Sequence, residues 1–390
     1  MAAARLALAL LFAAACVAPA GAPATISTTT TPAAPATAET TPQPTASAIQ
    51  SPPVTPSPTG RHSPSPTESG QSSPAPVGLP EGAAWSTLDV PSGPSPREDH
   101  TWTVARDGKA AYLFGGRAGS GAFGDLWRYD LTSDSWTELA PQGVSPAARF
   151  GHVAVWHGEL GLVVWSGQAD ATTFFADVWA YDPDANTWHE LPSTGDVPIA
   201  RYGSCGGIGP DGRLWISHGF TDDAGRFRDT RAYDFASGAW SDATAASGPV
   251  ERCLHDCFWS DDGQLVLYAG QTTGLPALGD LWTYDATSAA WSEQPTPPPP
   301  ARQLYAVAAL GGSAYIFGGG AVDGGYLDGL WRLTLADLSW MPLEPAGDRP
   351  AARSGATLVA DPVRARLLLF GGTDGDRELA DLSALGGPPR

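Results

Sequence analysis

"YLFGGRAGSGAFGDLWRYD", residues 112–130, holds two short apolar runs that end in turn-forming residues, and both runs reappear along the chain. The first returns as "VVWSG" ending at Gly167, "WISHG" at Gly219, "LYAGQ" around Gly270, "YIFGG" at Gly319 and "LLFGG" at Gly372. The second, "GDLWRYD", returns as "ADVWAYD", "RDTRAYD", "GDLWTYD", "DGLWRLT" and "ADLSALG". Successive copies lie about 50 residues apart.

Two more landmarks share this period. An arginine stands upstream of each glycine at nearly constant distance: Arg97, Arg149, Arg201, Arg252, Arg302 and Arg353. A tryptophan follows the second run at Trp136, Trp188, Trp240, Trp291 and Trp340. Each repeat therefore carries four short β-type runs broken by Gly, Pro, Asp and Ser, and sustained helical periodicity is lacking. The glycines end the second run where the backbone needs positive φ or close approach. Trp127 and Tyr129 share one face of an extended strand, so each sheet offers aromatic surface for its neighbour.

This pattern of Arg, Gly-Gly, Tyr-Asp and Trp resembles the kelch repeat over residues 81–390. The resemblance implies an all-β fold, a six-bladed kelch β-propeller with four antiparallel strands per blade. The sixth copy stops at "ADLSALGGPPR", one strand short, while "AAWSTLDV" at residues 83–90 stands alone with Trp85 about one repeat before Trp136. That N-terminal segment is expected to add the outer strand to the C-terminal blade, closing the ring and covering its edge. Folding should then need residues 83–90 but not the residues before 81.

Composition agrees and excludes other classes. The chain has 390 residues, 42% of them hydrophobic, so it can bury a substantial core. Its net charge is -19 and it has no Lys/Arg cluster, so a nucleic-acid backbone would be repelled. Residues 1–22 read as an export signal, and "AAAC" resembles the bacterial lipoprotein signal, with Cys16 as the lipidated residue. Cleavage after Ala20 or Ala22 and plain secretion is the alternative. Residues 23–80 are rich in Pro, Ser and Thr, a disordered-linker composition. The expectation is an outer-face membrane lipoprotein, or a secreted protein, that meets the membrane only through its N-terminal lipid. The propeller is expected to be monomeric.

A residue type present in every blade is a scaffold candidate, and one confined to a few blades is a functional candidate. The kelch resemblance implies that the arginine register lies near one mouth of the central channel, where guanidinium suits carboxylate. The candidate binding set is Arg97, Glu98, Arg149, Arg201, Tyr202, Arg252, His255, Arg302, Gln303, Tyr305 and Arg353. Repetition of the six arginines also fits a structural role, holding a neighbouring blade through loop carbonyls or an aspartate.

His100, His152 and His255 follow their arginines by three residues, but blade 3 has Ser204 there, so local hydrogen bonding is expected in place of a metal site. Phe123, Phe175 and Phe227 share a register with Leu278, Leu327 and Leu379 of the other blades, and a bulky apolar residue in every copy reads as core. Arg226, Arg228 and Arg231 form either a solvated surface or an anion-facing patch. Export favours disulfides. Cys205 and Cys257 fall at opposite strand parity in adjacent blades, which permits a bridge between them, with Cys253 the alternative partner.

Two functions fit. One is a module binding a protein or glycan outside the cell through variable loops such as "RAGSGAFG" and "GAVDGGYLD". The other is a sugar-active enzyme similar to the sialic acid mutarotases, with Glu98, Asp99, His255 and Asp256 as acid–base candidates. The copper oxidases similar to galactose oxidase need a Tyr-His set, and here Tyr202, Tyr305 and His255 are scattered over three blades. No metal or cofactor is expected.

Overall fold

The computed structural model describes residues 78–222, 225–295 and 299–387. The expected signal, Cys16 and nearly all of the linker lie outside the described residues. Among those described, every regular element is a β-strand, and the strands form six four-stranded antiparallel blades. Blade 1 runs Thr101–Val104, Ala110–Phe114, Leu126–Asp130 and Ser135–Leu139 from the centre outward.

The Tyr-Asp dipeptide, present in blades 1 to 4, shapes the outer hairpin. Asp130 accepts the Thr132 and Ser133 N–H groups on its Oδ1, which turns the chain. The Tyr129 hydroxyl then donates to Asp134, a residue held at positive φ. Blade 2 repeats both contacts through Asp182, and through Tyr181 with Asn186.

Six apolar clusters occupy the six spaces between blades, and each draws on two neighbouring sheets. Trp102, Tyr129, Trp136 and Phe370, for example, interlock between blades 6 and 1 with ring centroids 4.7–6.2 Å apart. Each sheet is thus buried on both faces, a packing that only neighbours on both sides can provide.

The seam lies where the repeat count places it. Ala84–Thr87 pairs antiparallel with Leu382–Gly386, matching Trp85 to Leu385, and becomes the outer strand of blade 6. Trp85 is 2% exposed and packs edge-on against Phe317 of blade 5.

Two consequences of this seam can be measured. A full chain lacking residues 83–90 should lose cooperative unfolding of the whole ring, and Trp85→Ala should cost roughly 3–5 kcal/mol in urea unfolding. Wild-type stability in either variant would show that the seam strand is dispensable.

Candidate functional site

The six arginines are scaffold, and their side chains do not line a mouth. Arg97, Arg149, Arg201, Arg252, Arg302 and Arg353 are each 0–2% exposed. Nε of each donates to the carbonyl two residues earlier, from Ser95 O in blade 1 to Ala351 O in blade 6. Nη1 of each donates to the carbonyl that ends the second strand of its blade, such as Gly115 O or Ser166 O. In five blades both Nη atoms also grip an aspartate at the head of the third strand: Asp125, Asp177, Asp229, Asp280 or Asp381, at 2.6–3.0 Å. A guanidinium holding two carbonyls and a bidentate carboxylate spends four of its five N–H donors inside the blade, and in blade 1 the fifth goes to Ser95 Oγ. Phe123, Phe175 and Phe227 lie over the guanidinium groups of Arg97, Arg149 and Arg201 at 3.8–4.1 Å, so these rings cover the clamps.

The arginine backbone joins the blades. At the 1/2 interface Arg149 N–H donates to Phe123 O, and Gly116 N–H donates to Arg149 O. The residue two beyond each arginine adds a third bond, closing a ring about the axis. Asp99 donates to Gly355, Gly355 to Leu304, Leu304 to Leu254, Leu254 to Gly203, Gly203 to Gly151 and Gly151 to Asp99, at 2.8–3.0 Å. All six members have positive φ, from 49° at Leu304 to 65° at Gly203 and Gly355. Glycine is required at a neighbouring position: a Cβ on Gly116 would meet His100 Cβ at 2.8 Å and Glu98 O at 2.9 Å.

A cavity of about 310 Å³ starts at this ring and continues along the innermost strands to Ala309 and Leu358. The histidines do not meet in it. His100 packs on Phe370, His152 on Phe114 and His255 on His218, each ring wedged against the preceding blade. Burial holds His100 and His255 neutral, pushing both down to about 3, with Arg97 and Arg252 acting in the same direction. The Tyr305 hydroxyl is used internally, donating to Tyr268 O at 2.6 Å, and Tyr202 is buried among Phe150, Phe220 and Leu254. Of the expected binding residues, Glu98 and Gln303 are half-buried and the others are buried.

Three carboxyl groups, those of Asp256, Glu98 and Asp99, are held far from their ordinary state, each raised first of all by burial. Asp256 lines the cavity, and its carboxylate accepts the Cys257 N–H on Oδ1; burial pushes it up to about 7. Glu98 lies on the loop side of the ring, where Arg117 reaches both Glu98 and Asp99 at 3.0 and 3.1 Å. Burial raises Glu98 to about 7 despite Arg117, and the neighbouring Asp99 adds to the rise. Beside them Glu378 accepts the Gly119 N–H at 2.7 Å. Asp256 and His255, adjacent in sequence, both line the cavity; the His255 ring packs edge-on against His218 of blade 3, and the Asp256 backbone N–H donates to the Tyr305 hydroxyl of blade 5.

The arginine-rich hairpin of blade 3 is dispersed. Arg231 pairs with Asp229 and Asp242, Arg226 donates to Thr273 and Gln271, and Arg228 donates to Ala246 O. Cys205 and Cys257 form a disulfide between the innermost strands of blades 3 and 4, with Cα atoms 5.4 Å apart. Cys253 stays outside the bridge and is buried against Gln271.

Six blades, the repeated arginine clamp and the seam strand define a kelch propeller, a class that generally binds proteins. Residues 80–263 and 243–386 match the KLHDC2/KLHL20/DRC7 Kelch-repeats domain, and the chain belongs to that family. It is 36% identical over 195 residues to the Rab9 effector protein with kelch motifs of Xenopus laevis, covering 47% of this chain and 53% of that relative. Identity to Acyl-CoA-binding domain-containing protein 4 of Arabidopsis thaliana is 30% over 172 residues, covering 44% of this chain and 25% of that one. Kelch domain-containing protein 3 of Bos taurus matches at 25% over 318 residues, 74% of this chain and 80% of that relative. The chain thus spans about half the length of the first and a quarter of the second.

The raised Asp256 gives a pH signature. Its folded form binds a proton more tightly than the unfolded chain does, so its contribution to stability is present at low pH and is lost as pH rises through about 7. The histidines act in the opposite sense, and their effect is complete above their ordinary value of 6.5. Relative to wild type, Asp256→Asn should gain roughly 2–4 kcal/mol between about pH 5 and pH 8 in urea unfolding. A difference independent of pH would contradict this placement.

Proposed function

We propose that the protein is an exported, tethered propeller that binds a protein ligand through the loops joining second and third strands. The observation that carries this reading is the use of the arginines. In blades 1 to 4 and 6 the repeated arginines are taken up by aspartates of their own blades, so blade-to-blade differences fall mainly on the loops. Those loops hold Arg117 and Glu378, which form a charged sector with Glu98, Phe174 and Phe220, which form an apolar one with Phe150, and exposed tips at Leu275 and Val322.

Export is supported by the leader-like residues 1–22, the Pro/Ser/Thr-rich tether and a disulfide suited to an oxidising compartment. The name of the Xenopus laevis relative, an effector, supports a protein over a glycan as ligand. A mutarotase-like enzyme would need an acid and a base converging in the cavity, and the His255 ring is instead packed against His218 of blade 3.

The full chain carrying a photo-crosslinking residue at Leu275 or Val322 should capture one defined ligand. The same probe at Val363, on a turn at the opposite end, should not. The purified ligand should rebind the wild-type chain. Capture through Val363 alone, binding to a glycan panel without any protein ligand, or sugar turnover without a stable partner would each overturn the reading.

A further inference from the structure

Blade 5 departs from the clamp in one residue. Where the other blades place Asp125, Asp177, Asp229, Asp280 and Asp381, blade 5 has Gly329. Arg302 nevertheless keeps the common pose, with Nε on Pro300 O at 3.1 Å and Nη1 on Gly318 O at 2.9 Å. The neighbouring Asp328 does not substitute, because it turns outward to Arg349 at 3.5 Å. Among the described residues no carboxylate is in ion-pair contact with Arg302, and burial without one lowers its proton affinity, partly offset by the Tyr268 hydroxyl.

A second donor aims at the same place. In blades 1, 2 and 4 the tryptophan two residues after the aspartate donates its Nε1–H to that carboxylate at 2.7 Å. Blade 5 keeps this tryptophan as Trp331, and a Cβ built on Gly329 would stand 3.2 Å from its Nε1. The indole N–H therefore points into the space that a side chain at 329 would fill. The five equivalent aspartate side chains are 15–38% exposed and Gly329 is itself half-buried, so the outer end of the space meets solvent, whereas Arg302 at its floor is 1% exposed.

We propose that Arg302 and Trp331 form a recognition niche for a carboxylate supplied from outside the blade. A guanidinium edge and an indole N–H converge there with the geometry that grips an aspartate in the sister blades, and the glycine leaves room for the incoming group. The carboxylate comes from an Asp or Glu side chain of a docked segment or from a free small acid. The niche stands on these contacts whether or not the neighbouring loops dock a protein.

The test is a titration of the full-length protein followed by the Trp331 indole N–H resonance, assigned with Trp331→Phe. Acetate should shift this resonance saturably beyond sodium chloride at equal ionic strength. Gly329→Asp, which supplies the carboxylate internally, should abolish the response; Gly329→Ala, whose methyl enters the same space, serves if that variant does not fold. A parallel shift with N-acetyl-aspartate methylamide assigns the niche to side chains of a docked segment, and a response to acetate alone assigns it to free acids. No shift beyond chloride, or an equal shift in the Gly329 variants, would overturn the proposal.

Discussion

Three backbone hydrogen bonds cross every interface between blades, and the rest of the structure depends on their closing into a ring. Each arginine accepts from a glycine of the preceding blade, donates to that blade's Phe or Leu carbonyl, and leads into a residue bonded around the axis. One such bond contributes only about 1 kcal/mol net. Their force lies in the cycle: Asp99 of blade 1 donates to Gly355 of blade 6, so no interface can open without straining the others. The buried guanidinium holds this backbone in place, and removing one partner of a buried pair costs roughly 3–5 kcal/mol. The seam strand completes the same logic at the outer edge, tying the N-terminal segment to blade 6.

This arrangement separates scaffold from surface. Ring, clamps and aromatic clusters are repeated and internal, whereas the loops above the ring differ in every blade. On blades 1 and 6 the loop face carries Glu98, Asp99, Arg117 and Glu378, and on blades 2 and 3 it carries Phe150, Phe174, Tyr202 and Phe220. The cavity below the ring has a separate chemistry, with Asp256 as its raised carboxyl and the histidines turned away into the interfaces.

Much of the fold was legible because it rests on period and parity. The repeat spacing of the glycines and tryptophans set the blade count, the orphan Trp85 marked the seam, and the opposite parity of Cys205 and Cys257 permitted their bridge. The axial ring was not legible, because a backbone bond can be made by any residue and its members are Asp, Leu and Gly in mixed order. The direction of the arginine side chains was equally hidden. Their repetition pointed to scaffold, but only the contact with Asp125 and its counterparts shows that the guanidinium groups are consumed. The signal for the blade 5 niche was present, since "DGLWRLT" lacks the aspartate of "GDLWRYD", yet it gains meaning only once that aspartate is seen to hold an arginine.

The central claim is that the ring behaves as one closed unit. Native-state hydrogen exchange of the six axial amides, on Asp99, Gly151, Gly203, Leu254, Leu304 and Gly355, tests it most directly. A closed cycle predicts that all six exchange through a single opening whose free energy equals that of global unfolding. Exchange of one blade's amide through a separate, cheaper opening would contradict the account.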